Sequence, residues 1–288
     1  MKILIAEYAG FCFGVKRAIE TAYYEIEKNS GRKIYMLGEI IHNPQVISDL
    51  SKKGVNVIEE EELDKLTEGD KLIIRSHGVS KKLYDFLAKK GIEVIDVTCP
   101  FVKKVQDIVY EHYHKGYSII IVGDRNHPEV RGVNGWCDDT AYVVNSIEEA
   151  HKLPQLERAC AVAQTTLIEK HWEDILEVIK LKIKDLVFFN TICDATQKRQ
   201  DAADELSRKV DVMFVIGGKH SSNTQKLKKI CEKNCKNTFH IEDAKELTLE
   251  MVEDREIIGI TAGASTPDYV IEEVIKKIRF LKGEKEEE

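Results

Sequence analysis

Three of the seven cysteines open closely similar segments, and this repeat constrains the fold more than any other feature of the chain. Cys12, Cys99 and Cys193 each follow a short apolar run and precede a helix-like stretch, at separations of 87 and 94 residues. A basic pair comes four and five residues after Cys12 and Cys99, and five and six residues after Cys193. A long internal period is typical of a repeated structural unit. The sequence therefore predicts three equivalent units whose thiols can converge on one point.

The repeat extends beyond the cysteines. A second apolar run in each unit ends in glycine, and a polar residue follows four positions later, at His42, His127 and Ser221. A third apolar run breaks into small polar residues before a helix, at His77, at Thr165 and Thr166, and at Ser265. Short runs rich in Ile and Val that alternate with amphipathic stretches are typical of buried parallel strands covered by helices. Each unit is thus predicted to contain four strand and helix pairs.

These patterns predict an α/β fold of three small lobes related by a pseudo-threefold axis. Each lobe is expected to hold a mainly parallel four-stranded sheet, with repeats at residues 1–95, 96–188 and 189–281 and a charged tail at residues 282–288. Ligands of open parallel sheets bind beyond the carboxyl ends of the strands, where helices begin. The cysteines and the polar residues all fall at such ends, so we expect the three cysteines to meet at the centre with the polar residues around them.

Composition indicates a soluble cytoplasmic enzyme. No apolar run in the 288 residues approaches the roughly 18 that a membrane helix needs, and the amino terminus lacks the apolar core of a signal peptide. The formal net charge of −7 argues against nucleic acid as a partner. The oligomeric state is left open, with a monomer as the simplest expectation.

Cysteine usage points to a metal group rather than to disulfides, because seven thiols are an odd number and cytosolic thiols stay reduced. Cys160 lies in an apolar run and is interpreted as a core residue, while Cys137 has no assigned role. Cys231 and Cys235 have a helical spacing that could bind a metal, but no second pair lies nearby. Structural zinc sites and ferredoxin-type clusters use four protein ligands. One 4Fe-4S cluster per chain, held by three cysteines, would leave one iron open to act as a Lewis acid and to pass electrons.

The polar residues indicate an anionic substrate. The segments HNP, SHG, NHPE and HSSN supply hydrogen-bond donors at predicted helix amino termini, a combination suited to phosphate or diphosphate oxygens. The alternative for each is an ordinary helix cap or core hydrogen bond, and the two interpretations do not exclude each other. Glu129 is a lone carboxylate among these donors, which favours a proton shuttle over an ordinary first-turn glutamate.

The motifs AGFCFGVKRA, GEIIHNPQV, RSHGV, DVTCPFVKKV, NHPEV, QTTL, CDAT and SSNT resemble the hydroxymethylbutenyl diphosphate reductase (IspH, or LytB) family, from Ala6 to the ASTP segment at residues 264–267. The resemblance implies a 4Fe-4S cluster on Cys12, Cys99 and Cys193. It further implies a set of diphosphate-binding residues, His42, His77, His127, Ser221, Ser222, Asn223 and Ser265. Glu129 matches the family's proton-delivering glutamate and Thr165 the threonine near the substrate hydroxyl, with Thr166 as a neighbouring alternative. We expect His127 to act in catalysis together with Glu129 and Thr165.

The implied reaction is the reductive dehydroxylation of 4-hydroxy-3-methylbut-2-enyl diphosphate to isopentenyl and dimethylallyl diphosphate, the last step of the methylerythritol phosphate route to isoprenoids. The substrate hydroxyl is expected to bind the open iron. The sequence shows no GxGxxG fingerprint for a nicotinamide or flavin, so the electrons are expected from ferredoxin or flavodoxin, one at a time. Two alternatives stay open: an iron-sulfur hydro-lyase acting on a phosphorylated substrate, which needs no electron donor, and a cluster-based sensor.

Overall fold

The computed structural model describes residues 1–28, 31–41 and 43–284. Twelve strands lie in these residues: β1 (Lys2–Ile5), β2 (Ile34–Leu37), β3 (Val55–Ile58), β4 (Lys71–Ile74), β5 (Glu93–Asp96), β6 (Ser118–Val122), β7 (Tyr142–Val144), β8 (Leu156–Ala163), β9 (Ile183–Phe189), β10 (Val212–Ile216), β11 (Thr238–Ile241) and β12 (Ile257–Ala262).

Ten α-helices alternate with the described strands: α1 (Phe13–Glu27), α2 (Pro44–Lys52), α3 (Lys81–Lys89), α4 (Pro100–His114), α5 (Pro128–Asn134), α6 (Ile147–His151), α7 (Glu169–Lys180), α8 (Asp194–Ser207), α9 (Ser222–Asn234) and α10 (Asp268–Leu281). Short 3-10 segments lie at Glu60–Lys65, Ala244–Glu246 and Leu249–Met251. None of the described helices is both long enough and apolar enough to cross a membrane.

The strands form three four-stranded sheets with orders β3-β2-β4-β5, β7-β6-β8-β9 and β11-β10-β12-β1, and every pairing is parallel. The three orders are equivalent, with β1 in the position that β5 and β9 take in the other sheets. The predicted α/β class with three parallel four-stranded sheets is therefore confirmed. The strand before each repeated cysteine is the fourth strand of a sheet, which for Cys12 means that β1 joins strands from the other end of the chain.

Burial explains why these apolar runs form parallel strands. Along β8, Ala159, Ala161 and Ala163 face the cluster that contains Trp172 of α7, whereas Cys160 and Val162 face a second cluster with residues of α4 and α5. All five residues of β10 are buried as well. Parallel sheets occur almost only where helices cover both faces, and the near-continuous apolar runs in the sequence reflect that requirement.

The chain divides into two compact units. The terminal unit takes in Met1–Phe13, a short segment around Asn43 and the described residues from Asp194 onward, and it contains the β11-β10-β12-β1 sheet. The central unit takes in Gly14–Ile41 and Gln45–Cys193 and contains the other two sheets. The repeat boundaries and the threefold arrangement expected from the sequence stay predictions, and residues 285–288 of the predicted tail lie outside the described residues.

Candidate functional site

The same turn follows the third strand of each repeat. At the ends of β4, β8 and β12 a backbone N–H donates to the carbonyl three residues earlier, from Gly78 to Arg75, from Leu167 to Gln164 and from Thr266 to Gly263, each at 3.0 Å. We call residues 75–78, 164–167 and 263–266 the site turns. The predicted residues His77, Thr165 and Ser265 all lie at central positions of these turns. The third apolar run of each repeat therefore ends in the same turn.

A second repeated hydrogen bond joins each candidate ligand cysteine to a site turn. The amides of Cys99, Cys193 and Cys12 donate to the carbonyls of Ser76 (2.9 Å), Thr165 (3.0 Å) and Ala264 (3.2 Å). The contact recurs because β5, β9 and β1 lie beside β4, β8 and β12 in their sheets. Sequence reasoning did not single out Ser76 or Ala264. Both lie two residues past the third strand of their repeat, as Thr165 does, and this shared position is the signal that would have identified them.

Glu129, the one carboxylate of the predicted set, is buried. It is 2% exposed, and its two carboxylate oxygens accept hydrogen bonds from the Thr165 backbone N–H and the Thr165 hydroxyl, both at 2.6 Å. Thr166 instead accepts a hydrogen bond from the side chain of Gln164 at 3.2 Å. The structure thus brings Thr165, rather than its neighbour, to the carboxylate, and the Thr165 carbonyl receives the Cys193 amide at the same time.

Two predicted histidines lie close together in the central unit. His127 is the amino-terminal cap of α5, and its Nδ1 accepts the Glu129 backbone N–H at 3.1 Å. Since Nδ1 is an acceptor, the proton of the neutral ring lies on Nε2. The His77 ring meets the His127 ring edge to face, with centroids 5.3 Å apart. Helix capping and the predicted donor role therefore use different nitrogens of the same imidazole. His42, also predicted for this group, lies outside the described residues.

The loop before Cys99 is fixed by charged and polar contacts. Asp96 accepts the Thr98 backbone N–H at 2.9 Å and the Tyr84 hydroxyl at 3.0 Å, and it pairs with Lys103 at 2.6 Å. Burial raises the pKa of Asp96, but the hydrogen bonds from Lys103 and Thr98 outweigh that effect and bring the pKa below its usual value. Pro100 then begins α4 in a position that needs no N–H donor.

The terminal unit carries the predicted serines and asparagine. Ser221 caps α9 by accepting the Thr224 backbone N–H at 3.3 Å, and the Ser222 hydroxyl accepts from Lys226 at 2.9 Å. Asn223 is 5% exposed, yet neither its side-chain oxygen nor its nitrogen has a hydrogen-bond partner among the described residues. A buried amide without a partner is costly, so it needs an explanation, such as a ligand that the amide is built to meet.

The cysteines fall into two groups. Cys12, Cys99 and Cys193 are half-buried and lie at strand-to-helix junctions, whereas the other four cysteines are buried. Cys137 and Cys160 belong to the core beside the β7-β6-β8-β9 sheet, and Cys231 and Cys235 to a core cluster of the terminal unit. Burial raises the pKa of Cys137 to about 11 and those of Cys160 and Cys231 to about 12, which leaves them inert as thiols. The core interpretation of Cys160 is confirmed.

The donor chemistry of the first group fits a thiolate-bound metal group, because these three thiols alone among the seven keep partial exposure at junctions fixed by the site turns. Within the described ranges, no group of three or more His, Cys, Asp or Glu side chains forms a metal site by geometry. Cys12 belongs to the terminal unit, and Cys99 and Cys193 to the central unit. Their action as a shared ligand set stays a prediction.

Comparison with known proteins extends along almost the whole chain. Residues 3–279 match the family described as LytB protein. The chain is 93% identical over 284 residues to the 4-hydroxy-3-methylbut-2-enyl diphosphate reductase of Thermoanaerobacter sp. (strain X514), covering 99% of each sequence. It is 75% identical over 288 residues to the protein of the same name from Caldanaerobacter subterraneus subsp. tengcongensis, covering 100% of each.

A solved structure agrees with these sequence matches. It is described as that of (E)-4-hydroxy-3-methyl-but-2-enyl diphosphate reductase, the terminal enzyme of the non-mevalonate pathway. The TM-score is 0.70 at 44% identity, over 97% of this chain and 99% of the other. The similarity therefore holds for sequence and fold alike.

Proposed function

Because this chain belongs to the LytB protein family, we propose that it catalyses the reductive dehydroxylation of 4-hydroxy-3-methylbut-2-enyl diphosphate to isopentenyl and dimethylallyl diphosphate, the last step of the methylerythritol phosphate route. The family predicted from the sequence motifs is confirmed. The observation that carries the proposal is the buried Glu129, held through both oxygens by Thr165, in a chain 93% identical to a protein named for this reductase.

The reaction needs a proton source beside the leaving hydroxyl. The substrate gains two electrons and two protons, its allylic C–O bond breaks, and the oxygen leaves as water. Glu129 is suited to deliver the first proton because it is sequestered from solvent and fixed in direction by the Thr165 N–H and hydroxyl. Thr165 is assigned to orient Glu129 and to lie near the substrate hydroxyl.

The remaining polar residues are assigned to the diphosphate. In the central unit, His127 caps α5 through Nδ1, which places the proton of the neutral ring on Nε2, and His77 lies against the same ring. In the terminal unit, Ser221, Ser222 and Asn223 stand at the start of α9, where backbone N–H groups and the helix dipole favour an anion. Ser265, in a site turn of the terminal unit, and His42 complete the proposed set.

A metal cofactor is expected for a reductase of this family. We assign it as one 4Fe-4S cluster held by Cys12, Cys99 and Cys193, the three thiols that are half-buried rather than enclosed in the core. When bound, such a group supplies the electrons of the reduction. The protein contributes the thiolates. It also fixes the position of each cysteine relative to a neighbouring site turn, through the hydrogen bond from the cysteine backbone N–H to a carbonyl of that turn.

The proposal also covers the electron donor, the cellular location and the oligomeric state. A cluster enzyme that accepts electrons singly is served by ferredoxin or flavodoxin as the donor. We further propose that the protein acts in the cytoplasm, on a small diphosphate substrate, and as a monomer.

The test is anaerobic purification with iron and sulfide counting, followed by an assay with reduced viologen. We expect about four irons per chain for one cubane, and oxidation of viologen only when 4-hydroxy-3-methylbut-2-enyl diphosphate is added, with isopentenyl and dimethylallyl diphosphate as products. Conversion of a phosphorylated substrate without consumption of viologen would identify a hydro-lyase instead. A metal-free protein that still turned over would exclude the cluster.

A further inference from the structure

The basic residues that follow the repeated cysteines have no part in the proposed reaction, yet both arginines among them bind backbone carbonyls. In the central unit, Arg17 Nη2 donates to the backbone carbonyl of Thr98 at 2.6 Å. Thr98 directly precedes Cys99 and has its own N–H bound by Asp96. Both backbone groups of the residue before Cys99 are therefore held by charged side chains.

Arg199 makes the corresponding contact in the terminal unit. Its guanidinium is 2% exposed and donates through Nη2 to the carbonyl of Gly10 at 2.7 Å and through Nη1 to that of Ala195 at 2.9 Å. Gly10 lies two residues before Cys12 and has φ of +92°, a left-handed conformation that other residues rarely adopt. A buried arginine thus fixes the loop that leads to Cys12.

The two contacts follow one rule. Each arginine lies on the helix after one cysteine and binds the loop before a different one: Arg17 follows Cys12 and binds the Cys99 loop, and Arg199 follows Cys193 and binds the Cys12 loop. The middle repeat departs from the rule, because its basic pair contains no arginine and Lys103, the first of the pair, binds Asp96 of its own repeat at 2.6 Å. A planar guanidinium with several fixed donors suits two carbonyls at once, which a lysine ammonium matches less well.

We propose that Arg17 and Arg199 are positioning residues that hold the loops of Cys99 and Cys12 in the conformation that receives the metal group. The metal part of this inference rests on the proposed function, whereas the loop part concerns the protein alone. Neither arginine touches the substrate in this scheme. Each acts through the backbone of the residues that lead to a ligand cysteine.

The loop part is tested by thiol alkylation of the full-length chain before iron-sulfur reconstitution, with each cysteine followed by peptide mass spectrometry. We expect Arg17→Lys to speed the labelling of Cys99 about tenfold, and Arg199→Lys to speed that of Cys12 similarly, because a charge-assisted hydrogen bond that closed each loop is lost. The effect should cross repeats: Arg17→Lys should leave Cys12, the cysteine of its own helix, unchanged.

The lysine variants keep the positive charge, which separates loop opening from electrostatics. Arg17→Gln and Arg199→Gln remove the charge as well, and a lost charge changes the reactivity of a nearby thiol by itself. Lys16→Arg and Lys209→Arg are the controls, since each keeps the charge at an exposed lysine that pairs with a glutamate of the same helix as the arginine, Glu20 of α1 and Glu205 of α8. Cys160, buried in the core, serves as the protected reference in every sample. Circular dichroism of each variant tests whether it folds like the wild type.

The metal part is tested by counting iron and sulfide after reconstitution and by following iron loss to a chelator. We expect both arginine variants to lose iron about tenfold faster than the wild type and the lysine controls, for the same reason. Unchanged labelling of the cysteine that each arginine reaches would overturn the proposal, as would faster labelling with unchanged iron loss. A wild type that binds no iron would contradict the proposed function, and labelling would still decide the loop role.

Discussion

Glu129 in the central unit and Asn223 in the terminal unit are both polar, buried and assigned to one reaction, yet their surroundings differ. Glu129 has both carboxylate oxygens held by Thr165, and its backbone N–H is bound by His127. Asn223 is equally enclosed, but its side-chain amide has no partner in the part of the chain that the structure describes. The first residue is fixed by the protein, and the second leaves its hydrogen bonds unmade.

The difference corresponds to two tasks. A group that transfers a proton must be oriented before the substrate arrives, so hydrogen bonds within the protein favour catalysis. A group that recognises an anion gains affinity by keeping donors available, and an unsatisfied buried amide is a cost that a ligand can remove. The comparison predicts that changes at Glu129 alter turnover, whereas changes at Asn223 alter affinity without lowering the stability of the unliganded protein.

The largest effect is expected for Glu129→Gln. The amide keeps the size of the side chain but cannot donate an acidic proton, so turnover should fall about 10²- to 10⁴-fold, the range typical of a lost general acid. Substrate affinity should stay within a few-fold. Steady-state kinetics with reduced viologen and direct binding of the substrate to the variant separate the two quantities. A loss of affinity that matched the loss of turnover would make Glu129 a binding residue.

The next effect concerns Asn223→Ala. Affinity for the diphosphate substrate should fall about 10- to 100-fold, because a hydrogen bond to a charged group contributes about 1.5–3 kcal/mol. The free energy of unfolding without ligand should not decrease, since no partner among the described residues loses a bond. Urea unfolding and calorimetric titration measure the two effects.

Asn234, at the other end of the same helix, is the matched control. Its amide donates to the Asp204 carbonyl, the Asp204 carboxylate and the Ser207 hydroxyl. Asn234→Ala should therefore lower the free energy of unfolding by about 1–3 kcal/mol and leave affinity unchanged. Equal destabilisation by both substitutions would remove the distinction between the two asparagines.

The strand ends were predictable from the sequence because each is marked locally. Glycines at 38, 123 and 217 stand directly after β2, β6 and β10, and the polar break after β4, β8 and β12 marks the site turns. Local composition reports where a buried strand stops, since apolar residues give way to turn residues there. This is why the predicted site residues that the structure describes lie where the repeat placed them.

Features that depend on distant contacts were not predictable. Each unit was predicted to contain four strand and helix pairs, but β3 and β11 are followed by 3-10 segments, at Glu60–Lys65 and Ala244–Glu246, rather than by α-helices. The choice of Thr165 over Thr166 depends on which hydroxyl of the site turn faces Glu129 of α5, and the two threonines are neighbours in sequence. The contacts of Arg17 and Arg199 join residues 81 and 189 positions apart, so a basic pair alone could not reveal them.

A smaller effect on turnover is expected for Thr165→Val. The substitution removes the hydroxyl donor but retains the backbone N–H that binds Glu129, so the carboxylate loses one of its two contacts to Thr165. Turnover should fall about tenfold to a hundredfold, as for one charge-assisted hydrogen bond. Thr166→Val is the control and should have little effect. In the Glu129→Gln background the Thr165 substitution should cost less, because the two residues act as one unit. Independent effects would mean that Thr165 acts on the substrate directly.

The smallest effect separates capping from recognition at Ser221, beside Asn223. Ser221→Ala removes the acceptor of the Thr224 N–H, and loss of a helix cap costs about 0.5–2 kcal/mol of stability. Ser80, which caps α3 by accepting the Leu83 N–H at 3.3 Å and has no proposed role in binding, gives the reference loss when changed to alanine. If Ser221 also contacts the diphosphate, Ser221→Ala should bind the substrate several-fold more weakly than Ser80→Ala does. If Ser221 is only a helix cap, the two variants should bind the substrate equally well. The first result would make the start of α9 a site that combines a satisfied serine with an unsatisfied asparagine, so that the helix is stable before the ligand arrives and still has donors to offer it.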